Sequence, residues 1–168
     1  MHDKLTRSDI AKLEKELEER KLVIRPQLIE AVKEARAQGD LSENFEYHAA
    51  RREKGQNDSR IAYLEDMIAT AIILDEEESD NDEVALNKSI EIYFPDDDET
   101  EVYKLVTTIR GNSVNGMISI DSPIGSAILG HKVGETVNVK ISDSYTCPVV
   151  IKSVGPIEDD SQDAIKSF

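Results

Sequence analysis

The sequence contains one cysteine, no tryptophan and few aromatic residues, and each scarcity excludes a class of protein. Cys147 has no second cysteine in the chain to pair with, so a disulfide-stabilised fold is excluded and a cytoplasmic location is expected. No run approaches the roughly 18 apolar residues that a membrane span needs, and the first residues lack the order of a signal peptide. Aromatic residues at 5% against charged residues at 33% predict long solvated helices rather than a large globule.

Basic residues are scarce in the second half of the chain. Residues 1–75 contain 13 Lys/Arg and 16 Asp/Glu, a net charge of −3, whereas residues 76–168 contain 7 and 19, a net charge of −12. A surface that binds phosphates needs clustered Lys and Arg, so this half is excluded as a stand-alone nucleic-acid module. If the protein acts on RNA or DNA, another molecule must hold the nucleic acid.

Familiar catalytic and cofactor motifs are also missing. The sequence has no Gly-rich phosphate loop, no G-x-S-x-G and no Cys or His pairs at metal spacing. His2, His48 and His131 are too scattered to predict a zinc site. We therefore expect no cofactor of the protein's own.

Two stretches of the first half have helical periodicity. In the first, apolar residues recur at helical spacing at Ile10, Leu13, Leu17, Ile24, Leu28, Ala31 and Ala35. We expect a helix from an N-cap at Ser8 to Gln38, kinked near Pro26 and ended by Gly39. The second stretch is a heptad made of Tyr47, Ala50, Lys54, Asn57, Ile61, Leu64, Ile68 and Ala71. Because only a few residues join them, the two helices are predicted to form an antiparallel hairpin.

The sequence period changes after an acidic, turn-rich stretch. Short segments rich in Val and Ile predict strands at Ser89–Phe94, Val102–Ile109, Met117–Ile120, Thr136–Ile141 and Val149–Val154. The run SPIGSAILG, residues 122–130, predicts a short helix with Ser122 as its cap. We expect an α+β fold with a hairpin over 1–75, an acidic linker over 76–83, a sheet domain over 84–157, and a tail over 158–168 that lacks a core and frays.

The predicted tip of the hairpin carries two carboxylates, Asp40 and Glu43. Their spacing of three residues lets both leave the hairpin on one side. Two carboxylates alone hold Mg²⁺ poorly, but they are suited to complete a site whose other ligands come from a partner and a phosphate. Alternatively, Asp40 as N-cap and Glu43 at the third helical position form a capping box that needs no further function. The spacing by itself leaves both interpretations open.

Two stretches resemble the GreA/GreB family of bacterial transcription elongation factors. The run ARAQGDLSENFEYHAARREKGQNDSRIAYLE, residues 35–65, is similar to the family tip G-D-L-x-E-N-x-E-Y-H-A-A. The run ISIDSPIGSAILGHKVGETV, residues 118–137, resembles the family's C-terminal signature around S-P-[IL]-G-x-A-[IL]-[IL]-G. The two lie in the family's order. The resemblance covers nearly the whole chain, and it implies a coiled-coil hairpin followed by an FKBP-like sheet domain with one short helix.

The function that the resemblance implies is concrete. The C-terminal domain would dock at the rim of the secondary channel of bacterial RNA polymerase, and the hairpin would reach the 3′ end of backtracked nascent RNA. There Asp40 and Glu43 would share a catalytic Mg²⁺ with the polymerase, whose own active site cuts the transcript and rescues the arrested complex. On this interpretation the chain is a monomer, is not itself an enzyme and meets DNA only indirectly. GreA-like character is favoured because the upper hairpin shows no dense basic cluster.

Other residues match the family with more modest implications. The resemblance assigns RNA or channel contacts to Tyr47, Arg36, Arg51 and Arg52, and polymerase docking to Ser122, Pro123, Ile124 and Gly125. Structural alternatives are a seam position for Tyr47, ion pairs for the arginines and turn shaping for the docking residues.

Ser126 and His131 stand where the family often has a basic residue. This difference keeps open a second hypothesis, a channel-occupying regulator that inhibits or modulates polymerase without promoting cleavage. A coiled-coil adaptor unconnected with catalysis is the third.

Overall fold

The computed structural model describes residues 2–39, 43–74, 79–160 and 163–167. The chain divides into two compact units, one made of Asp9–Ile72 with the first residues, the other of Ile73–Ser167 with Lys4–Ser8. Up to residue 74 the elements are β1 (Lys4–Thr6), α1 (Arg7–Glu19), a π-helical turn (Arg20–Ile24), α2 (Arg25–Arg36), α3 (Phe45–Thr70) and β2 (Ile72–Leu74). β1 pairs with β2 in a two-stranded sheet, which the sequence did not predict.

The helices form the predicted hairpin. α3 packs against α2 and against the π-helical turn. The buried apolar side chains of the hairpin are Leu13, Leu28, Ala35, Tyr47, Ile61, Leu64 and Met67. Most of them fall on the predicted periodicity, because that spacing puts one stripe of each helix at the contact. Within the described ranges, no helix combines the length and the apolar character needed to cross a membrane.

The predicted helix ends differ from the observed ones. Ser8 is not a cap, because α1 already begins at Arg7, directly after β1, and the Ser8 hydroxyl donates to Asp160 Oδ1 at 3.1 Å. The capping box of Asp40 and Glu43 is wrong as well, since α3 begins at Phe45 with Asn44 as its cap. The predicted seam residue Ala71 follows the end of α3 and has an extended backbone.

The irregularity caused by Pro26 takes the form of a π-helical turn. Proline has no N–H to donate, and its ring crowds the preceding turn of an α-helix. The helix widens into a π-helical turn directly before Pro26, where the Arg25 N–H donates to the Arg20 carbonyl five residues earlier. The predicted site of distortion therefore extends one turn toward the N-terminus.

The second unit contains a mixed sheet. Its elements are β3 (Lys88–Phe94), β4 (Glu99–Val106), a 3₁₀ turn (Ser113–Asn115), β5 (Met117–Ser119), α4 (Pro123–Ile128), β6 (Thr136–Ser142) and β7 (Tyr145–Ile157). The strand order is β5-β4-β3-β7-β6, with β4 and β5 parallel and the other pairs antiparallel. α4 contacts β5 and β6. The predicted α+β fold is thereby confirmed.

The core of this unit is aliphatic. Its fully buried members are Ile90, Ile92, Leu105, Ile128, Val139, Val149 and Ile151. Those on β3, β6 and β7 alternate along the strand with exposed or half-buried residues, which is the pattern of a sheet that buries one face. Ile128 brings α4 into the same cluster.

The tail, predicted to fray, instead packs on the second unit where the structure describes it. The Asp163 carboxylate lies 2.9 Å from both Lys104 Nζ and Arg110 Nη1. The Lys166 N–H donates to the Ile109 carbonyl at 2.7 Å. The prediction failed because few apolar residues mark this segment, and its attachment is mainly polar.

Candidate functional site

The side chain of Asn44 connects the two helix ends beside the tip of the hairpin. Its Oδ1 accepts the Tyr47 N–H at 3.0 Å and so caps the start of α3. Its Nδ2 donates to the Ala35 carbonyl in the last turn of α2 at 2.6 Å. One amide therefore satisfies a free donor of one helix and bonds a carbonyl of the other. Gly39, between the two helices, has a φ of +130°, a backbone conformation that glycine adopts without strain.

Glu43 immediately precedes this cap, and its side chain is exposed. The other predicted acid, Asp40, lies outside the described residues. Glu43 is outside the helix, so its carboxylate stands on a backbone fixed from the C-terminal side by Asn44. The site thus contains at least one solvent-exposed carboxylate next to the capped first turn of α3.

Three of the predicted RNA-contacting residues lie close together at the end of α2 and in the first turns of α3. Tyr47 is 8% exposed, and the Arg36 guanidinium carbon lies 5.6 Å from the centroid of its ring. The pKa of the Tyr47 phenol is lowered, first by hydrogen bonding with Arg36 and further by the positive charges of Arg36 and Arg51. Arg36 and Arg51 are themselves exposed. Tyr47 therefore lies in the seam between the helices, and the two arginine side chains next to it face solvent.

Two further residues near the tip face solvent. Arg52 lies on α3 with an exposed side chain. Phe45, the first residue of α3, is 85% exposed, an unusual position for so large an apolar side chain.

A polar network crosses the middle of the hairpin. Arg60 donates to both carboxylate oxygens of Glu16, at 2.9 and 3.1 Å, and Arg20 donates to Glu16 at 2.9 Å. Arg20 also donates to Asn57 Oδ1 at 2.9 Å, while the Asn57 amide reaches the Arg20 carbonyl at 3.4 Å. The pKa of Glu16 is lowered: burial alone would raise it, but the hydrogen bonds from Arg60 and Arg20 outweigh that effect. Such directional bonds inside a seam favour one register of the two helices.

The predicted docking residues surround the start of α4 in the second unit. Ser122 accepts the Gly125 N–H at 3.0 Å, and its hydroxyl donates to the Ser119 carbonyl at 2.6 Å. A Cβ on Gly125 would lie 2.0 Å from the Ser119 carbonyl oxygen, so close packing requires glycine at this position. Pro123 is exposed and Ile124 is half-buried. This geometry explains the turn and leaves Pro123 available to a partner.

The described residues contain no group of three or more His, Cys, Asp or Glu side chains placed to hold a metal ion. A single exposed carboxylate such as Glu43 supplies too few ligands for Mg²⁺ by itself. Asp40, the second predicted ligand, lies outside the described residues.

Sequence reasoning missed Asn44 and the network around Glu16. For Asn44 a signal existed, since Asn is a preferred cap and Glu46 places an acid in the first turn of α3. For Arg60, which is 6% exposed, the heptad gave no signal because the position lies beside the apolar stripe.

Comparisons with known proteins agree across both units. A protein-family model described as "Transcription elongation factor, N-terminal" matches residues 4–73, and a second family model, described as "Transcription elongation factor, GreA/GreB, C-term", matches residues 78–156. The chain is 43% identical over 143 residues to a transcription elongation factor GreA of Chloroherpeton thalassium, covering 84% of this chain and 90% of that protein. It is 42% identical over 137 residues to a GreA of Limosilactobacillus fermentum, covering 82% and 87%.

Among solved structures, GreA factor homolog 1 (Gfh1) of Thermus thermophilus is similar at 24% identity and a TM-score of 0.43, covering 93% of this chain and all of that one (100%).

Proposed function

Because the chain belongs to the GreA/GreB family of transcription elongation factors, we propose that it stimulates RNA polymerase to cleave backtracked nascent RNA. The hairpin enters the secondary channel of the polymerase, and the polymerase's own active site cuts the transcript. The chain supplies side chains to that site and is not itself the catalyst. Cleavage leaves a new 3′ end, and the arrested complex resumes elongation.

The observation that carries this proposal is an exposed carboxylate on a braced tip. Glu43 faces solvent directly before Asn44, whose amide bonds both helix ends. A group that must enter a partner's active site gains from a fixed geometry, because less freedom is lost when it is positioned.

Each part of the chain then has a role. Asp40 and Glu43 share a Mg²⁺ with the polymerase; when bound, that ion activates water and stabilises the charge built up in phosphodiester cleavage. Tyr47, Arg36, Arg51 and Arg52 contact the RNA 3′ end or the channel wall. Ser122, Pro123, Ile124 and Gly125 dock the second unit on the polymerase. The net charge of −15 supports this division, since the polymerase and not this chain must hold the nucleic acid.

The test compares Glu43→Gln and Asp40→Asn with Glu46→Gln in a cleavage assay on stalled, backtracked polymerase with Mg²⁺. Glu46 is an exposed glutamate in the first turn of α3, so it is a matched control for the loss of one charge. We expect each tip variant to lose at least about 100-fold in cleavage rate, in the range seen when a group that stabilises the transition state is removed. Glu46→Gln should cleave as the unmodified protein does. Cleavage retained in both tip variants would contradict the roles assigned to the two acids.

A second candidate is a regulator that occupies the channel without promoting cleavage. It is favoured by Ser126, whose hydroxyl donates to the Ser122 carbonyl at 2.8 Å where the family often has a basic side chain. An elongation assay run beside the cleavage assay separates the two functions. Slower elongation with no release of short 3′ RNA fragments would establish the regulator.

A further inference from the structure

The second unit contains a desolvated pair of cations, Lys104 and Arg110. The Lys104 side chain is 13% exposed and the Arg110 side chain 0%. Arg110 Nη1 donates to Asn87 Oδ1 at 2.8 Å, and Arg110 Nε donates to Thr107 Oγ1 at 3.3 Å. Arg110 is therefore held by the sheet domain itself. Two like charges taken out of water at one place require an anion between them.

Asp163 supplies that anion. A single carboxylate oxygen, Oδ2, lies 2.9 Å from Lys104 Nζ and 2.9 Å from Arg110 Nη1, and the side chain is 11% exposed. Burial alone would raise the pKa of Asp163, but the hydrogen bonds from Lys104 and Arg110 hold it below its usual value. The residue lies beyond position 156, where the match to the family ends.

The segment that carries Asp163 is bound as a peptide rather than as part of the sheet. Residues 158–160 and 163–167 contain no helix or strand. The backbone bonds that attach the segment to the unit include those from the Glu158 N–H to the Asn87 carbonyl and from the Lys166 N–H to the Ile109 carbonyl, each 2.7 Å long. An irregular segment that is attached mainly by polar contacts opens at a lower free energy than the packed core on which it lies.

The bound segment also forms one wall of a cleft. The cleft has a volume of about 640 Å³, and its lining includes Gly111, Met117 and Ser122 on one side and Ala164–Ser167 on the other. Ser122 is the cap of α4 and belongs to the docking residues assigned above. The position of the segment therefore decides how open the surface beside Ser122 is.

We propose that Lys104 and Arg110 form a carboxylate-binding site for an acidic peptide, that the segment carrying Asp163, described over residues 158–160 and 163–167, is its tethered ligand, and that the release of this segment opens the cleft beside Ser122 to the polymerase. The binding site is independent of the proposed function, whereas the effect on the polymerase rests on it. A segment attached to the same chain as its site has an effective concentration of the order of millimolar, so a free peptide competes poorly until the anchor is removed.

The binding site is tested with a labelled synthetic peptide of residues 158–168, followed by fluorescence anisotropy. We expect the peptide to bind the full-length Asp163→Ala protein at least about tenfold more tightly than the unmodified protein, because the site is then free of its tethered ligand. The same peptide carrying Asp163→Ala should bind neither protein. Asp159→Ala removes an exposed acid from the same segment but keeps the Asp159 carbonyl, which lies 3.4 Å from Lys104 Nζ. It is the matched control for Asp163→Ala and should behave as the unmodified protein does.

Circular dichroism establishes that the variant is folded. If Asp163→Ala unfolds, Asp163→Asn keeps the shape of the side chain and replaces it in the titration. A folded variant that binds the peptide no better than the Asp159→Ala control would overturn the site.

The effect on docking is measured as affinity for bacterial RNA polymerase. We expect Asp163→Ala to bind several-fold more tightly than the unmodified protein and Asp159→Ala to bind equally. An unchanged affinity in a variant whose site accepts the peptide would overturn the gating of the cleft. If none of the proteins binds polymerase, the proposed function has failed, and the peptide titration still decides the binding site.

Discussion

At the scale of single residues, the Asn44 side chain connects the end of α2 to the start of α3. It accepts a hydrogen bond from the Tyr47 N–H and donates one to the Ala35 carbonyl, so it joins two helix ends. Neither aspartate nor alanine keeps both bonds. Aspartate keeps the acceptor only, and alanine keeps neither.

Asn44→Ala is expected to lower the free energy of unfolding by about 1–2 kcal/mol, since it removes a helix cap and a second hydrogen bond. Asn44→Asp should cost less, because the bond to the Tyr47 N–H survives. Urea denaturation followed by far-UV circular dichroism measures both. Equal stability of the alanine variant and the unmodified protein would show that the amide does not brace the tip.

Two glycines are expected to respond to alanine in opposite directions. A Cβ added to Gly55, in the middle of α3, would have no neighbouring atom within 4 Å, whereas one added to Gly125 would lie 2.0 Å from the Ser119 carbonyl oxygen. Gly55→Ala should raise the free energy of unfolding by about 0.5–1 kcal/mol through better helix propensity. Gly125→Ala should lower it by about 1–3 kcal/mol through overpacking. Thermal denaturation of the two variants checks the contrast, and a destabilised Gly55→Ala would contradict it.

At the scale of elements, the hairpin combines an apolar base with a polar middle. Glu16 receives two arginines, and Asn57 reaches the carbonyl that also accepts the π-helical hydrogen bond. The Arg20 carbonyl thus accepts both the Arg25 N–H within the π-helical turn and the Asn57 amide from α3. The distortion of one helix and the buried amide of the other thus form one structural feature.

The network makes the hairpin sensitive to acid. The pKa of Glu16 is lower in the folded protein, so its stabilising effect is complete above its unfolded pKa of about 4.3 and is lost as the pH falls through the lower folded value. We expect stability against urea to decline below about pH 4.3, and part of this decline to disappear in Glu16→Gln. Equilibrium urea titrations between neutral and acidic pH measure the slope. An identical slope in the variant would mean that Glu16 does not contribute.

At the scale of the whole molecule, charge separates this chain from proteins that bind nucleic acid directly. The net charge is −15, and 12 of those negative charges in excess lie in residues 76–168. Contact with RNA is therefore expected only where the polymerase supplies the positive field.

The isolated protein is expected not to bind single-stranded RNA at physiological salt. In the presence of a backtracked polymerase complex, a photoreactive group at position 47 should crosslink to the 3′ end of the transcript. Gel mobility shift measures the first and crosslinking the second. Tight binding of RNA by the protein alone would contradict the division of roles between chain and polymerase.

Periodicity in the sequence was sufficient for the helices of the hairpin and the five strands of the large sheet. These elements bury one face each, and burial of one face imposes a spacing that the sequence must display. Local turn chemistry was similarly informative at Ser122, whose cap on α4 is confirmed. The family, and with it the tip acids as candidates, followed from short motifs of contiguous residues.

Contacts between distant polar residues were decided only by the tertiary structure. Asn44 with Ala35, Glu16 with Arg60, and Asp163 with Lys104 and Arg110 join positions that no spacing rule connects. The sequence does not distinguish a charged side chain that faces water from one that pairs with a buried partner, because the same residue type serves in both places. Which of the two occurs depends on where the folded backbone brings the opposite charge.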